Sequence, residues 1–267
     1  MDDEKKRVLI TGVSRGIGKA IARTLVEHGY EVYGTSRHPE NIPLEQRVAG
    51  VHYFTVDLAD YKSIDRLVDN IGTVDMLVNN AGESQIGPLE EAPVSLVLSI
   101  FQTNLFAVMY LTNKIIPIMR EKKQGLIINI SSLADMFVVP FSAIYAASKH
   151  GLRGYSKGLR HELKGFGIHV SILCPYGIRS EKLPQIYINE GSVYRKVLDR
   201  VLLLRSRRNG RAPGVEVVAR KVLKILKKKD PRFSYPVGGI APLLAFLVKI
   251  FPQKPVEKIE RRVFGLD

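Results

Sequence analysis

The stretch that decides the fold class is Val8-Leu9-Ile10-Thr11-Gly12-Val13-Ser14-Arg15-Gly16-Ile17-Gly18, near the start of the 267-residue chain. It begins with a short apolar run, passes through a glycine-rich turn and continues into apolar residues at helical spacing. Glycines allow a sharp turn from strand to helix and a close approach of a phosphate to the backbone. The first N–H groups of that helix are unpaired and can bind a pyrophosphate. A purely structural turn is the alternative, because GxxxGxG spacing alone is weak evidence.

Strand-like and helix-like segments alternate along most of the chain. The strand-like runs are Arg7–Ile10, Glu31–Thr35, His52–Val56, Met76–Asn79, Gly125–Ile130 and His169–Cys174. The helical patterns are Gly16–His28, Tyr61–Ile71, Val94–Glu121 and Tyr145–Gly167. This alternation predicts an α/β fold of βαβ units around a parallel sheet. The nearly continuous apolar run Leu126–Ile130 predicts strands that are buried on both faces.

Length and composition fit one domain and exclude several classes of protein. Hydrophobic residues make up 45% of the chain and charged residues 25%, which excludes a disordered or fibrous protein. The single cysteine, Cys174, excludes an internal disulfide framework and fits a reducing compartment. The apolar run before Thr11 is too short for a signal peptide, and no stretch approaches the ~18–20 apolar residues of a spanning helix. We therefore expect a cytoplasmic protein, with attachment to a membrane surface left open.

Positive charge is concentrated in the last third of the chain. The net charge is +14, of which residues 1–180 carry +2 and residues 181–267 carry +12. Such a basic region is either a solvated face or a surface for nucleic acid, anionic lipid or an anionic substrate.

The end of the second predicted strand indicates which dinucleotide binds. An acidic residue there would accept a hydrogen bond from the ribose 2′-OH of NAD, but Gly34-Thr35-Ser36-Arg37-His38 contains none, and the next acid is Glu40. A 2′-phosphate needs cations and hydroxyl groups, which Arg15, Arg37 and Ser36 supply. The sequence therefore predicts NADP as the cofactor.

Tyr145 and Lys149 lie four residues apart, on one face of a predicted helix. A neighbouring ammonium favours the phenolate and lowers the tyrosine pKa from its usual value of ~10, as proton transfer to or from an alcohol oxygen requires. Either Ser132 or its neighbour Ser131 could donate a hydrogen bond to a carbonyl oxygen. Asn104, inside another predicted helix, has an amide that must find partners and could hold a chain of waters.

Taken together, these motifs resemble the short-chain dehydrogenase/reductase family. They stand in the family's order and spacing over roughly residues 5–235. The motifs are TGVSRGIG at 11–18, Asp57-Leu58, NNAG at 79–82, Asn104, Ser132 and YAASK at 145–149. The resemblance implies a Rossmann-like, doubly wound parallel sheet with helices on both faces. It also implies an NADP-dependent oxidoreductase that interconverts a secondary or primary alcohol and its ketone or aldehyde.

The resemblance also implies how a single domain spanning 1–267 is divided. The cofactor-binding and catalytic core covers 5–180, and a helical segment over the substrate covers 181–212. A last helix and strand cover 213–235, and a C-terminal extension covers 236–267. The stretch 232–244 resembles, more weakly, the ends of retinol- and hydroxysteroid-dehydrogenase-like members.

Roles for individual residues follow from the same resemblance. Tyr145 is the general acid/base, and Lys149 holds the nicotinamide ribose and lowers the tyrosine pKa. Ser132, rather than Ser131, contacts the substrate oxygen, and Asn104 anchors a water relay. The implied cofactor-binding residues are Gly12, Ser14, Arg15, Gly16, Ile17, Gly18, Ser36, Arg37, Asp57 at the adenine, Leu58, Asn79 at the ribose, Ala81, Gly82, Tyr145, Lys149, Pro175, Gly177, Ile178 and Ser180.

The segment after the sixth predicted strand departs from the family pattern. The family has Pro-Gly-x-Ile/Val-x-Thr, whereas this chain has Pro175-Tyr176-Gly177-Ile178-Arg179-Ser180. Ser180 keeps the hydroxyl that contacts the nicotinamide carboxamide, and Tyr176 in place of glycine changes the local turn. Cys174 is expected to be a buried, small apolar residue and not a nucleophile.

Two other functions stay open: a catalytically idle NADP-binding redox sensor, and a nucleic-acid-binding protein that uses the basic tail. The intact Tyr145 and Lys149 argue against the first. The few aromatic residues of the tail lie at apolar positions and not among the arginines, which argues against nucleic-acid binding. The histidines show no pair with metal-ligand spacing and an acidic helper, so no metal is predicted.

Apolar residues predict the substrate and the protein's partners. In the family that the chain resembles, the region 181–204 covers the substrate, so its apolar residues imply a small hydrophobic carbonyl or alcohol substrate. Members of the family bury the apolar faces of helices such as 94–121 and 145–167 in a contact between subunits, which implies a homodimer or homotetramer. The apolar residues of 240–251 predict a short helix starting near Pro242 and flanked by basic residues. That helix either packs on the substrate segment or another subunit, or lies at a membrane surface near anionic lipid.

Overall fold

The computed structural model describes residues 5–181, 183–210, 212–251 and 253–264. The ends of the predicted domain, 1–4 and 265–267, and Lys182, Arg211 and Pro252 lie outside the described residues. The strands are β1 (Arg7–Thr11), β2 (Glu31–Ser36), β3 (Val51–Thr55), β4 (Met76–Asn79), β5 (Gln85–Ile86), β6 (Gly125–Ile130), β7 (Ile168–Pro175), β8 (Gln185–Ile186) and β9 (Ser234–Val237). The helices are α1 (Gly16–Glu27), α2 (Tyr61–Ile71), α3 (Val94–Phe101), α4 (Ala107–Glu121), α5 (Ala143–Leu163), α6 (Arg195–Asn209), α7 (Glu216–Leu226), α8 (Ala241–Ile250) and α9 (Gln253–Phe264).

A parallel sheet with the strand order β3-β2-β1-β4-β6-β7-β9 forms the centre of the molecule. The chain winds outward in one direction from β1 to β3 and in the other from β4 to β9. The reversal between β1 and β4 leaves a crevice at the carboxyl ends of the strands, where ligands of such sheets bind. The predicted doubly wound, Rossmann-like fold is confirmed, and β5 and β8 form a separate parallel pair.

Helices cover both faces of the sheet because successive strand residues point to opposite sides. Val8 and Ile10 pack in a core cluster with α1 and α7. Leu9, between them, packs in a second cluster with α2, α4 and α5. The predicted strands are correct to within one residue at each end, and β9 extends two residues into the predicted C-terminal extension.

The predicted helix Val94–Glu121 is not one regular α-helix. A π-helical turn, Gln102–Phe106, joins α3 to α4 and holds the fully buried Asn104. Such turns insert a residue into the helix and are frequent at functional sites. The expectation that no stretch approaches a membrane span is wrong, because by length and composition 94–121 is long and apolar enough. In the fold α4 packs its buried side chains against the sheet.

Candidate active site

A groove of about 780 Å³ runs along the carboxyl ends of the strands. Its walls come from the loops that follow β1, β2, β3, β4, β6 and β7 and from the start of α5. The predicted residues that line it are Gly12, Ser14, Arg15, Gly16, Ile17, Gly18, Ser36, Arg37, Asp57, Leu58, Ala81, Gly82, Ser132, Tyr145, Lys149, Pro175 and Ser180. Asn79, Asn104, Gly177 and Ile178 lie outside its lining.

The glycine loop leaves room for a phosphate at the start of α1. Gly12 and Gly16 have φ angles of +73° and +59°, which side-chain-bearing residues rarely adopt. A side-chain carbon at Gly18 would overlap the carbonyl oxygen of Gly12. No side chain caps α1, and its first turn contains no acid. The free N–H groups and the partial positive charge there fit a pyrophosphate, as the sequence predicts.

Asn80, and not the predicted Asn79, holds the glycine loop. The Asn80 amide donates to the carbonyl oxygens of Thr11 at 2.9 Å and Gly12 at 3.0 Å, and Asn80 lines the groove. The Asn79 amide instead donates to Asn129 at 2.8 Å and to Thr112 at 3.1 Å inside the core. Because Asn79 is the last residue of the buried strand β4, its side chain points into the protein; the NNAG motif alone does not distinguish the two asparagines.

The region near β2 fits a 2′-phosphate. Arg15 and Arg37 are both exposed where they line the groove, and Ser36, the last residue of β2, directly precedes Arg37. Two guanidinium groups and a hydroxyl form charge-assisted hydrogen bonds to a phosphate monoester. Asp57 also lines the groove, but its carboxylate accepts a hydrogen bond from the Ala59 amide at 2.9 Å.

Tyr145 and Lys149 meet at the inner end of the groove. The Lys149 ammonium lies 5.8 Å from the centre of the Tyr145 ring and donates to the carbonyl oxygen of Ile130 at 3.1 Å. A side-chain carbon at Gly82 would lie 3.6 Å from the same ammonium. The lysine ammonium therefore lies close to the Tyr145 ring, to the end of β6 and to Gly82 in the groove. This position suits a residue that acts on both the tyrosine and a bound cofactor.

The surroundings of Tyr145 change its pKa in opposite directions. Burial is the largest effect and raises the pKa of the phenol, and the negative charge of Asp135 raises it too, whereas a hydrogen bond with Ser132 and the positive charge of Arg205 act to lower it. The pKa of Tyr145 therefore lies above its usual value, and the lowered pKa that the sequence predicts is wrong for this structure. Because its pKa is raised, the phenol is protonated near neutral pH, and its hydrogen bond with Ser132 places it to donate a proton to a carbonyl oxygen.

The structure separates the two candidate serines. Ser132 lines the groove at the start of the turn after β6, and its hydroxyl bonds to Tyr145 and accepts from the Ala134 amide at 3.1 Å. The Ser131 hydroxyl donates to the buried Asp135 carboxylate at 2.7 Å. Because its proton is engaged there, Ser131 is the weaker donor for a substrate.

Asn104 connects the loop after β4 to α5. Its side-chain oxygen accepts from the Glu83 amide at 2.7 Å, and its nitrogen donates to the Glu83 carbonyl at 2.9 Å and to Ser148 at 2.9 Å. The π turn places this side chain between the two elements. Asn104 thus positions the groove wall, and its role in a water relay stays a prediction.

The Pro175–Ser180 segment is partly different from what the sequence predicts. Ser180 lines the groove beside the glycine loop, since a side-chain carbon at Gly16 would lie 2.9 Å from its hydroxyl. Ile178 packs on the α1/α7 core cluster. Tyr176 packs with Leu133 and with α8. The tyrosine that replaces the usual glycine therefore anchors the C-terminal helix, and Gly177 and Ile178 face away from the groove.

Apolar residues join the segment after residue 181 to the loop between β6 and α5. Val201 of α6 packs against Val139, in the loop between β6 and α5, and Phe141 of that loop contacts the Tyr194 ring edge-on at 6.0 Å. The pairing of β5 with β8 fastens the segment after residue 181 to the loop after β4. Leu183, Ile186, Val193 and Leu203 stay exposed.

The predicted helix near Pro242 is present as α8. Ala241 and Ala245 are buried against Leu133 and Tyr176. The opposite face is apolar and more than half exposed at Leu243, Phe246 and Ile250. Small residues thus bring the helix close to the core while its large side chains point outward. Within the described residues, no group of three His, Cys, Asp or Glu side chains could hold a metal.

Comparison with known proteins identifies the family. A sequence model of the short chain dehydrogenase family matches residues 6–190. A 3-ketodihydrosphingosine reductase of Bacteroides thetaiotaomicron is 33% identical over 247 residues, 89% of each chain. A short-chain dehydrogenase structure from Streptomyces avermitilis is 28% identical, superposes with a TM-score of 0.81 and covers 100% of both chains. An actinorhodin polyketide ketoreductase variant solved with NADPH is 30% identical, with a TM-score of 0.73 over 87% of this chain and 95% of its own.

The fold and the groove define an oxidoreductase that acts on CH–OH groups. The chain belongs to the short-chain dehydrogenase/reductase family.

Proposed function

We propose that the chain uses NADP(H) to interconvert a hydrophobic alcohol and its ketone or aldehyde. The observation that carries the proposal is the groove, which is lined both by Ser132, Tyr145 and Lys149 and by the uncapped start of α1. Arg15 and Arg37 support the choice of NADP over NAD. The related ketoreductase solved with NADPH supports the same choice.

Residues of the chain transfer the proton and stabilise the negative charge that is left on the phenolate. When bound, NADPH supplies the hydride. In reduction, Ser132 donates a hydrogen bond to the carbonyl oxygen, and the Tyr145 phenol gives that oxygen its proton. The Lys149 ammonium stabilises the phenolate that remains. In alcohol oxidation the same groups act in reverse.

The substrate we propose is a long-chain ketone. The apolar contacts between α6, the loop at 137–141 and Tyr194 favour an aliphatic chain beside the reacting carbon. The related protein named 3-ketodihydrosphingosine reductase supports a lipid of this kind. We propose that residues 5–180 bind cofactor and carry the catalytic groups, that 181–212 cover the substrate, that 213–237 complete the sheet, and that 238–267 form an extension.

A kinetic comparison tests the proposal. NADPH consumption is followed with 3-ketodihydrosphingosine and with short ketones, aldehydes, steroid ketones and retinal, and Tyr145→Phe serves as the inactive control. We expect kcat/KM to rise with the length of the alkyl chain. Turnover of short ketones alone would contradict the lipid substrate, and no turnover of any carbonyl compound would contradict the activity.

We also propose that the chain works in the cytoplasm as a homodimer or homotetramer. Leu98 of α3, Phe106 of the π turn and Phe166 after α5 are large apolar residues that are 42–61% exposed. Burial of such surfaces favours association. Light scattering at micromolar concentration should show species larger than one 29.9 kDa chain, and a monomer alone would contradict the assembly.

The exposed face of α8 fits a membrane surface that carries anionic lipid. Exposed cations follow on α8 and on the next helix, α9: Lys249, Lys254, Lys258, Arg261 and Arg262. Each cation near an anionic surface contributes about 1 kcal/mol to binding. An enzyme held there would meet a long-chain ketone where such lipids concentrate.

Vesicle sedimentation tests this attachment. The protein should pellet with vesicles of anionic lipid and not with neutral ones, and high salt should release it. Replacing Leu243, Phe246 and Ile250 by glutamine should abolish pelleting, whereas Leu44→Gln, at an 81% exposed leucine between β2 and β3, should not. Equal pelleting of both variants, or none by the unaltered protein, would contradict the proposal.

A further inference from the structure

Asp135 and Arg153 form an ion pair whose carboxylate is buried and whose arginine side chain is 22% exposed. The Asp135 carboxylate has no exposed side-chain surface, and the Arg153 guanidinium donates to it at 3.0 Å. Asp135 belongs to the short turn after β6, three residues beyond Ser132. Arg153 belongs to α5, eight residues beyond Tyr145. The pair therefore joins the two elements that carry the proposed proton donor and its serine partner.

Asp135 fixes the turn that contains both serines. Its carboxylate accepts from the Ser131 hydroxyl at 2.7 Å and from the Cys174 thiol at 3.4 Å, and its backbone amide donates to the Ser132 carbonyl at 3.0 Å. Burial and the Asp135 charge raise the pKa of Cys174 to about 12, so the thiol stays protonated as a donor. These contacts leave the Ser131 hydroxyl committed to the carboxylate and the Ser132 hydroxyl facing Tyr145.

Arg153 attaches α5 to the turn that contains Asp135. Tyr145, Lys149 and Arg153 recur every four residues and so follow one face of α5. Lys149 holds the end of β6 through Ile130, and Arg153 holds the turn one helical step further on. Arg153 also reaches the Ser234 hydroxyl at 3.4 Å and lies 5.9 Å from the Phe233 ring, which ties the helix to β9.

Stability alone is a poor explanation for this pair. Removing the Asp135 carboxylate from water opposes folding, so an ion pair with a buried carboxylate is often no more stable than apolar residues of the same volume. The Nε of Arg153 is moreover buried without a hydrogen-bond partner among the described residues. A pair kept at such a cost, directly beside reacting groups, points to a role in the reaction.

We propose that Asp135 and Arg153 are positioning residues that hold Ser132 against Tyr145 and balance each other's charge beside the phenol. The proposal deepens the proposed function and rests on the roles given there to Ser132 and Tyr145. Arg153 acts by holding the Asp135 carboxylate in place. Asp135 acts on Ser132 by fixing the turn, and on Tyr145 through its negative charge.

The charges around the phenol give this proposal a distinct signature. The charged groups that face Tyr145 are Lys149 on its own helix, Arg205 on α6 and Asp135 in the turn, and the neutral thiol of Cys174 faces it from β7. Glu83 and Glu181 line the same groove. Because Asp135 raises the pKa of Tyr145, loss of its arginine leaves that charge unbalanced and should raise the pKa further. Loss of the carboxylate leaves Arg153 unbalanced and should lower it.

Titration of Tyr145 by NMR measures these shifts without substrate or cofactor. The chain is labelled with tyrosine carrying carbon-13 at Cζ, and the Tyr145 signal is the one lost in Tyr145→Phe among the 11 tyrosines. The midpoint is compared for the unaltered chain, Asp135→Asn, Arg153→Met and the double variant. Arg160→Met is the matched control, since Arg160 also lies on α5 but donates to the carbonyl oxygens of Val170 and Pro231.

The expected shifts are opposite in the two single variants. Arg153→Met should raise the midpoint and Asp135→Asn should lower it, each by ~0.5–1 pH unit, the size expected for one charge at short range in a partly screened site. The double variant and Arg160→Met should stay within ~0.3 of the unaltered chain, because neither leaves a lone charge beside the phenol. Arg153→Lys, which keeps the charge, should behave as the unaltered chain does.

A purely structural pair gives a different result. Shifts of the same sign in both single variants, unchanged midpoints, or a Tyr145 signal that does not titrate below pH 11 in any variant would overturn the proposal. The double variant keeps the test valid if a single variant unfolds, because both charges are then absent. Failure of the proposed function would instead appear as absent turnover by the unaltered chain, which this titration does not use.

Discussion

The cofactor side of the groove and its substrate side are built in different ways. On the cofactor side, backbone N–H groups, glycines and strand ends form the walls, and their positions follow from the order of the strands. On the proposed substrate side, Val201 of α6 packs in one cluster with Val139 and Phe141, which belong to a loop much earlier in the chain. Short sequence motifs encode the local geometry of the cofactor side. They do not encode the substrate side, which depends on packing between residues that are distant in the sequence.

The largest predicted effect is a difference in kcat between variants of the two neighbouring serines, Ser131 and Ser132. Ser132→Ala removes the donor to the carbonyl oxygen and should lower kcat by ~10²-fold or more, the usual effect of losing one such donor. Ser131→Ala removes a hydrogen bond to Asp135 and should lower kcat by less than ~10-fold. Steady-state kinetics with one ketone measures both. A larger loss of kcat in Ser131→Ala than in Ser132→Ala would show that Ser131, and not Ser132, contacts the carbonyl oxygen.

A smaller effect should appear on the cofactor side alone. Arg37→Asp places a carboxylate where the 2′-phosphate binds, and it can accept from a 2′-OH instead. The ratio of the NADH and NADPH dissociation constants should fall by ~10–100-fold while kcat with saturating cofactor changes little. Calorimetric titration of both cofactors provides the measurement. A ratio near one in the unaltered protein would remove the basis of the NADP assignment.

The smallest effect compares two glycines with opposite surroundings. Gly18→Ala forces a carbon into the Gly12 carbonyl and should weaken cofactor binding, whereas Gly154, inside α5, has no atom within 4 Å of an added side-chain carbon. Gly154→Ala should raise the free energy of unfolding by ~0.5–1 kcal/mol because alanine favours the helix. Urea unfolding measures the change. Destabilisation by Gly154→Ala would show that this part of α5 meets a neighbour, such as another subunit.

Much of the fold follows from the sequence because the relevant signals are local. Apolar runs and turn residues place β1 to within one residue, and the same holds for the strand at Gly125–Ile130. The π turn at Gln102–Phe106 could not be foreseen, since it depends on Asn104 reaching Glu83 and Ser148, which are remote in the chain.

The site shows the same contrast between local and remote information. The glycine loop and the four-residue spacing of Tyr145 and Lys149 are local motifs, so the sequence alone places both in the site. Asn79 was the wrong asparagine of its motif, because strand alternation buries it and exposes its neighbour to the groove. Asp135 gave no signal in the sequence, since its partner Arg153 is distant and a carboxylate in a turn is ordinarily solvated.

The most direct test of the account compares the unaltered chain with Tyr145→Phe in two measurements on the same samples. Turnover is measured by NADPH consumption with a long-chain ketone, and NADPH affinity by fluorescence titration. The account predicts that Tyr145→Phe lowers kcat by at least ~10²-fold, since the proton donor is lost, while the dissociation constant of NADPH stays within ~3-fold. Turnover by Tyr145→Phe at the rate of the unaltered chain would contradict it.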